Sequence, residues 1–164
     1  MSASTKHMAH YFEPEKAGQV VINDLMKLLL GRELGRGASR VVYAHASDPT
    51  LVVKIEQEHK CFSNIIEWII WDELRQTKAK KWLAPCVEIS SCGCALIQKR
   101  TMLVEKHELP KEVPSWMADL KLKNWGRIGK NVVCHDYSCT NIGTHLVSSK
   151  TVKARFHDYS SYSK

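Results

Sequence analysis

Residues 33–56 read ELGRGASRVVYAHASDPTLVVKIE, and this stretch decides the fold. It holds two runs rich in β-branched residues, 40–45 and 51–56, joined by the turn SDPT. Runs of this kind separated by a turn are typical of a β-hairpin. A glycine-rich segment, Gly35-Arg36-Gly37, comes just before the first run. We therefore expect an antiparallel hairpin with a glycine-rich tip ahead of it.

Helices are predicted on both sides of this hairpin. Apolar residues recur at helical spacing from residue 17 to residue 30, and Gly31 is expected to end that helix. A second helix is expected to begin at Ser63 or Asn64, either of which can cap it. The apolar face of the second helix comprises Ile65, Ile66, Ile69, Ile70 and Leu74.

The second half of the chain is expected to alternate between strands and helix. Two strands are predicted at 87–90 and 95–99, around the tight turn SCGC. Residues 105–114 carry two prolines and charges of both signs, which favours a linker. A helix is expected to start at Ser115 and to end at Gly129. The last third is expected to form a loop, a strand, a turn and a strand.

The composition is that of an ordinary globular protein with an excess of positive charge. Lys and Arg number 24 against 17 Asp and Glu, a formal charge of +7, which favours a nucleotide, a nucleic acid or an acidic protein as partner. No apolar run reaches the roughly 18–20 residues that span a bilayer. Residues 1–16 lack the apolar core of a signal peptide. We therefore expect a cytoplasmic protein with no membrane contact and a loose N-terminal arm.

The six cysteines are expected to be free thiols, because the sequence shows no export signal. On paper, a zinc site could be assembled from Cys86, Cys92, Cys94, Cys134, His135 and Cys139. No two of these cysteines form a Cys-x-x-Cys pair, and their spacing is poor for structural zinc. We favour buried thiols that behave as small apolar residues.

Four separate segments carry residues suited to phosphoryl transfer. The glycine-rich tip would let main-chain N–H groups approach a phosphate, which Lys54 in the next strand could also reach. Asp136 is followed five residues later by Asn141, and Asp158 lies near the end of the chain. Phosphoryl transfer needs a carboxylate that orients the attacking hydroxyl and oxygen ligands for Mg²⁺. Asp136 suits the first role, and Asn141 and Asp158 suit the second.

The order of these segments resembles the protein-kinase fold, especially the compact protein kinases encoded by bacteriophages. The matching pattern is Gly35-x-Gly37, Val42-Tyr43, Lys54, Asp136 with Asn141, and Asp158. The resemblance implies a minimal two-lobed α+β fold. Its N-lobe would be an antiparallel β-sheet with one long helix, and its C-lobe would be helical and truncated.

The same resemblance implies a division of the chain. Residues 1–16 would form a flexible arm, and residues 17–100 would form the N-lobe with its leading helix, glycine-rich loop and nucleotide-binding lysine. Residues 101–164 would supply the hinge and the C-lobe, with the catalytic-loop-like and metal-binding motifs. The hinge itself is expected near residues 98–105.

The resemblance also implies site residues and the ligands ATP and Mg²⁺. The nucleotide-binding residues would be Gly35, Gly37, Ser39, Val42 and Lys54. The metal-binding residues would be Asn141 and Asp158, and the catalytic residues Asp136, Lys54 and Glu67.

Glu67 is the helix carboxylate that we expect to pair with Lys54. Glu73 is the other candidate on the same helix. Glu67 could instead form a capping box with Asn64 at the start of the helix. An exposed Glu67 bonded only to its own helix would indicate the capping box.

The sequence departs from the family pattern at several positions. Arg40 replaces the third glycine of the loop, and Cys134 replaces the usual histidine two residues before Asp136, with His135 next to the aspartate. Asp158-Tyr159-Ser160 occupies the place of the metal-binding triplet of the family. Only six residues follow Asp158, so the activation segment and substrate-binding helices of ordinary kinases are not expected here.

The sequence is compatible with three functions. The first is an ATP- and Mg²⁺-dependent protein serine/threonine phosphotransferase of phage or prophage type that acts on host proteins in the host cytoplasm. The second is a catalytically weak pseudokinase that binds and inhibits a host factor. The third is a nucleic-acid-binding protein with a basic face made of Lys78, Lys80, Lys81, Lys121, Lys123, Arg127 and Lys130.

Overall fold

The structure, a computed structural model, describes residues 23–57, 61–140 and 150–158. Within these ranges the chain is an α+β protein whose main antiparallel sheet has five strands in the order β1-β2-β3-β5-β4. The strands are β1 (Leu30–Arg36), β2 (Arg40–His45), β3 (Leu51–Glu56), β4 (Cys86–Ile89) and β5 (Ala95–Lys99). Helix α1, residues 23–29, precedes β1, and helix α2 (Ser63–Leu74) lies between β3 and β4.

The hairpin predicted at the start of the sheet is formed by β2 and β3. Val42 of β2 pairs with Lys54 of β3, so the two side chains lie on the same face of the sheet. In the connecting turn, the Asp48 carboxylate accepts a hydrogen bond of 2.8 Å from the N–H of Thr50. Strand β3 is bonded to β2 on one side and to β5 on the other. Lys54 therefore lies in the centre of the main sheet.

Helix α2 packs on the sheet through a buried face that includes Glu67 and Leu74. The predicted cap at Ser63 or Asn64 is wrong. The residue at the N-cap position is Phe62, which has a φ of 51° and makes no capping hydrogen bond through its side chain. Instead, the carboxylate of Glu56 at the end of β3 accepts the N–H of Asn64 at 2.7 Å. Negative charge near a helix N-terminus is favourable.

The second half of the chain is built from short elements. Its strands are β6 (Glu112–Pro114), β7 (Trp125–Ile128), β8 (Asn131–Cys134) and β9 (Thr151–Lys153). Strand β6 pairs with β9 and β7 with β8, both antiparallel. Single 3₁₀ turns lie at Lys78–Trp82, Lys106–Glu108 and Leu122–Asn124.

The helix predicted from Ser115 to Gly129 is wrong, and so is the helical C-lobe for the part of the chain that the structure describes. No described residue after Lys99 is α-helical. Gly129 has a φ of 59° and forms the turn between β7 and β8. Gly126 lies inside β7, where an added Cβ would collide with the side chain of Thr101. Gly129 therefore allows the turn that pairs β7 with β8, and Gly126 allows β7 to pack closely against Thr101.

Two further expectations need correction. The first helix ends at residue 29, and Gly31 lies within β1, where a Cβ would come within 3.0 Å of the Ala44 carbonyl oxygen. The predicted linker at 105–114 contains a 3₁₀ turn and strand β6. Residues 1–22, with the predicted arm, lie outside the described residues.

One hydrophobic core joins the main sheet, α2 and the second half. Its buried members include Ile70, Leu74, Leu83, Leu96, Val113, Trp116 and Trp125. The rings of Trp125 and Phe156 meet edge to face, with centroids 5.4 Å apart. Tyr137, in the segment that follows β8, belongs to the same core, and the neighbouring backbone oxygen of His135 accepts from Lys54 Nζ.

Candidate functional site

Lys54 projects from the central strand into the interior of the molecule. The residue is only 3% exposed. Its Nζ donates to Glu67 Oε2 at 2.8 Å and also to the backbone oxygen of His135. A buried ammonium needs such partners, because removing it from water without them is costly. Lys54 therefore connects β3 to both α2 and the loop after β8.

Glu67 is the carboxylate at the centre of this region and is fully buried. Its Oε2 accepts from Lys54, while its Oε1 accepts from Arg40 Nη2 at 2.8 Å and from the N–H of Tyr137 at 3.2 Å. The expected pairing of Glu67 with Lys54 is thus present. Glu73, the other candidate on the same helix, is exposed.

Arg40 also belongs to this site, which the sequence did not indicate. Its side chain is only 6% exposed, and its Nη2 bonds both Glu67 at 2.8 Å and Asp136 Oδ1 at 2.6 Å. Arg40 lies two residues before Val42 on β2, and therefore on the same face of the sheet as Lys54. The alternation of side chains along β2 could have revealed this from the sequence, because it places the arginine that replaces the third glycine on the same face as the lysine.

Asp136 lies in a loop that is anchored on both sides. The N–H of His135 donates to Asn124 O at 2.8 Å, and its Nδ1 lies 2.8 Å from Thr101 Oγ1. The hydroxyl of the buried Tyr137 donates to a backbone carbonyl at 3.0 Å. The Asp136 side chain is 43% exposed. It therefore joins the buried cluster through one oxygen while remaining accessible from outside.

We name Arg40, Lys54, Glu67 and Asp136 the ionic cluster. It combines two cations with two carboxylates, so its formal charges cancel. Burial would raise the pKa of Asp136, but the charges of Arg40 and Lys54 outweigh it and lower that pKa below its ordinary value. Burial, together with the charge of Lys54, lowers the pKa of His135 to about 4. His135 is therefore neutral at physiological pH.

The glycine-rich tip has open space around its backbone. No atom lies within 4 Å of the position that a Cβ would take at Gly35, and the nearest to Gly37 is at 3.8 Å. Neither glycine has a positive φ. Packing and backbone conformation therefore do not require glycine here, which fits a surface that another molecule approaches closely. Of the other predicted nucleotide-binding residues, Ser39 lies 3.3 Å from the Ser63 hydroxyl, and Val42 lies beside Lys54.

The predicted metal-binding residues are only partly described. Asn141 lies outside the described residues. Asp158 is exposed and follows His157, which forms a bridge with Lys121. The motif order also predicts that Asp158, Lys54 and the glycine-rich tip line one cleft, and this stays a prediction. Within residues 23–57, 61–140 and 150–158, no group of three or more His, Cys, Asp or Glu side chains could hold a metal ion, and all six cysteines are free.

A shallow depression lies beside Asp136 on the second half of the molecule. It encloses about 220 Å³, open solvent included. Its lining includes Met117, Asp119, Leu120, Asp136, Cys139 and Thr140. Asp119, which the sequence did not single out, pairs with Lys121 at 2.7 Å. The space within it that a molecule can occupy is only about 10 Å³, room for about one water, so the depression does not admit a side chain beside Asp136.

The basic residues considered for nucleic-acid binding are partly neutralised. Lys121 pairs with Asp119 at 2.7 Å, and Arg127 pairs with Glu108 at 2.6 Å. Lys78, Lys80 and Lys81 share one 3₁₀ turn. Paired cations have less charge to offer to phosphates, which weakens the case for a continuous basic face.

Comparison with known proteins leaves the family open. No model of a known protein family matches the chain, and no curated protein sequence matches it significantly. Among the described residues, no helix has the length and apolar character needed to cross a bilayer. The ionic cluster and its surroundings are therefore the features of the molecule that bear on its function.

Replacing Glu67 by Gln should be strongly destabilising, because it leaves two buried cations without their shared carboxylate. We expect the free energy of unfolding to fall by about 3–5 kcal/mol, measured by urea denaturation. Glu73→Gln makes the same chemical change at an exposed position of the same helix and should alter it by less than about 0.5 kcal/mol. Equal effects of the two substitutions would contradict the buried cluster.

Acid should remove the contribution of Asp136 to stability. The folded-state pKa lies below the unfolded value of about 3.9, so the ionised carboxylate stabilises the fold at neutral pH, and the effect is lost as pH falls through the folded pKa. Asp136→Asn should therefore be less stable than wild type at neutral pH, and the difference should shrink below about pH 4. Urea unfolding across this range checks it, with the exposed Asp72→Asn as control. A difference independent of pH would refute the expectation.

Proposed function

We propose that this chain is an ATP- and Mg²⁺-dependent phosphotransferase of the protein-kinase type that modifies serine or threonine hydroxyls of proteins in the cytoplasm. The observation that carries the proposal is the buried contact between Lys54 Nζ and Glu67 Oε2 at 2.8 Å. The lysine lies on the third strand and the glutamate on the helix that follows it, which is the arrangement by which protein kinases hold their phosphate-binding lysine. If the chain is encoded by a phage, host proteins are its substrates.

The glycine-rich tip supports nucleotide binding at the same place. Gly35 and Gly37 precede the strand that carries Arg40 and pairs with the strand of Lys54. The open space around both glycines lets a ligand approach the backbone closely, and the Gly37 N–H is bonded to the Arg40 carbonyl oxygen at 2.8 Å, which holds the tip in place. Lys54 is the proposed phosphate-binding cation, and its Nζ is buried and bonded to Glu67 and to the His135 oxygen.

Asp136 is suited to orient the substrate hydroxyl. Its side chain is 43% exposed, and its lowered pKa keeps it ionised at neutral pH. A weak base suffices, because the transition state of phosphoryl transfer is largely dissociative and depends mainly on positioning. When bound, ATP supplies the phosphoryl group and Mg²⁺ neutralises its charge. Asn141 and Asp158 are the proposed ligands of Mg²⁺.

A second candidate function is a pseudokinase that binds nucleotide and occupies a host protein without transferring phosphate. The observation that favours it is the 2.6 Å contact between Arg40 and Asp136. If this ion pair persists when substrate is bound, the carboxylate is not available to the incoming hydroxyl. Nucleic-acid binding ranks third, because Lys121 and Arg127 are engaged in ion pairs.

Autophosphorylation of the purified protein with labelled ATP and Mg²⁺ tests the proposal without knowledge of the substrate. Wild type should incorporate label. Asp136→Asn should reduce the rate by about 10²- to 10⁴-fold while sparing ATP binding, because an amide cannot accept the hydroxyl proton. Lys54→Met should weaken ATP binding itself. Asp72→Asn, an exposed aspartate on α2, is the matched control.

The outcomes separate the candidate functions. ATP binding without transfer, even after addition of a host lysate, would replace the phosphotransferase by the pseudokinase. A complete lack of nucleotide binding by folded wild type would exclude both. Circular dichroism of each variant shows whether a loss reflects chemistry or unfolding.

A further inference from the structure

Arg40 connects three parts of the molecule that are distant in sequence. It begins strand β2, and its guanidinium bonds Glu67 on helix α2 and Asp136 in the loop after β8. Ninety-six residues separate Arg40 from Asp136. Neither the resemblance nor the proposed phosphotransfer reaction gives this arginine a role in catalysis.

The contacts use the planar shape of the guanidinium. Nη2 donates to Glu67 Oε1 at 2.8 Å and to Asp136 Oδ1 at 2.6 Å, while Nη1 donates to Asn64 Oδ1 at 3.3 Å. The amide nitrogen of Asn64 in turn donates to the backbone oxygen of Lys54 at 3.1 Å. A lysine has a single charged nitrogen and cannot reproduce this fork. The arginine is thus itself held in place.

We propose that Arg40 is a positioning residue of the phosphotransfer site, which fixes the Asp136 carboxylate in the orientation that meets the substrate hydroxyl. The inference rests on the proposed function. The guanidinium occupies Oδ1 and leaves the rest of the partly exposed carboxylate to the substrate. The site gains a second cation beside Lys54 and a direct link between sheet and loop.

The charges that face Asp136 define what removal of Arg40 changes. They are Arg40 from β2, Lys54 from β3 and Glu67 from α2, and the titratable but neutral His135 lies next to Asp136 in the same loop. Without Arg40, burial, which raises the pKa of Asp136, is opposed mainly by the charge of Lys54. The pKa of Asp136 should then rise, and the acidic limb of the pH–rate profile should move to higher pH.

The test compares wild type with Arg40→Gln and Arg40→Lys. Arg75→Gln is the matched control, because it removes an arginine from an exposed ion pair with Asp72 outside the site. Autophosphorylation is measured against ATP concentration and pH. Arg40→Gln should lower kcat by about 100-fold, the cost of misplacing a catalytic group, with a smaller change in the KM for ATP. Arg40→Lys should retain only part of the wild-type kcat, and Arg75→Gln should match wild type.

A second measurement keeps the inference separate from the proposed function. The carboxyl carbon of Asp136 is titrated by ¹³C NMR in wild type and Arg40→Gln, with no nucleotide present. A higher pKa in the variant supports the positioning role, and an unchanged pKa overturns it. An active wild type with an equally or more active Arg40→Gln overturns the inference alone. A wild type that binds ATP but transfers nothing overturns the proposed function, whatever the titration shows.

Discussion

The carboxylate of Glu67 is the group on which the rest of the structure depends. It is fully buried and accepts hydrogen bonds from Lys54, Arg40 and the N–H of Tyr137. An ion in such a place is tolerated only when its partners satisfy it, and removing one partner leaves an uncompensated charge. The three donors come from β3, β2 and the loop after β8. Sheet, helix and loop are therefore fixed relative to one another by a single side chain.

Charge balance links this cluster to the expected ligand. The positive charges of Arg40 and Lys54 are cancelled by the negative charges of Glu67 and Asp136. The cluster by itself therefore does not compensate the negative charge of a nucleoside triphosphate. The remaining charge would have to come from Mg²⁺ and from the net +7 of the chain. This is why Asp158, exposed and outside the cluster, matters to the proposal. A metal held there would add positive charge without displacing the buried ion pairs.

The sequence was most informative where local pattern and fold agree. The β-branched runs on either side of SDPT predicted the central hairpin, and the apolar spacing predicted α2. It failed where tertiary contacts decide. Gly129 looked like a helix end but serves a strand turn, and Gly126 is required by close packing against Thr101. Arg40 looked like the loss of a glycine, because its partners lie far along the chain and come together only in the fold.

Titration of ¹⁵N-labelled protein with Mg²⁺ and a non-hydrolysable ATP analogue tests the central claim most directly. The claim is that the glycine-rich tip and the ionic cluster form one nucleotide-binding site. It predicts saturable, Mg²⁺-dependent shifts of the backbone amides of Gly35, Gly37 and Lys54. Shifts confined to the basic turn at Lys78–Trp82, or no shifts at all in the folded protein, would contradict it.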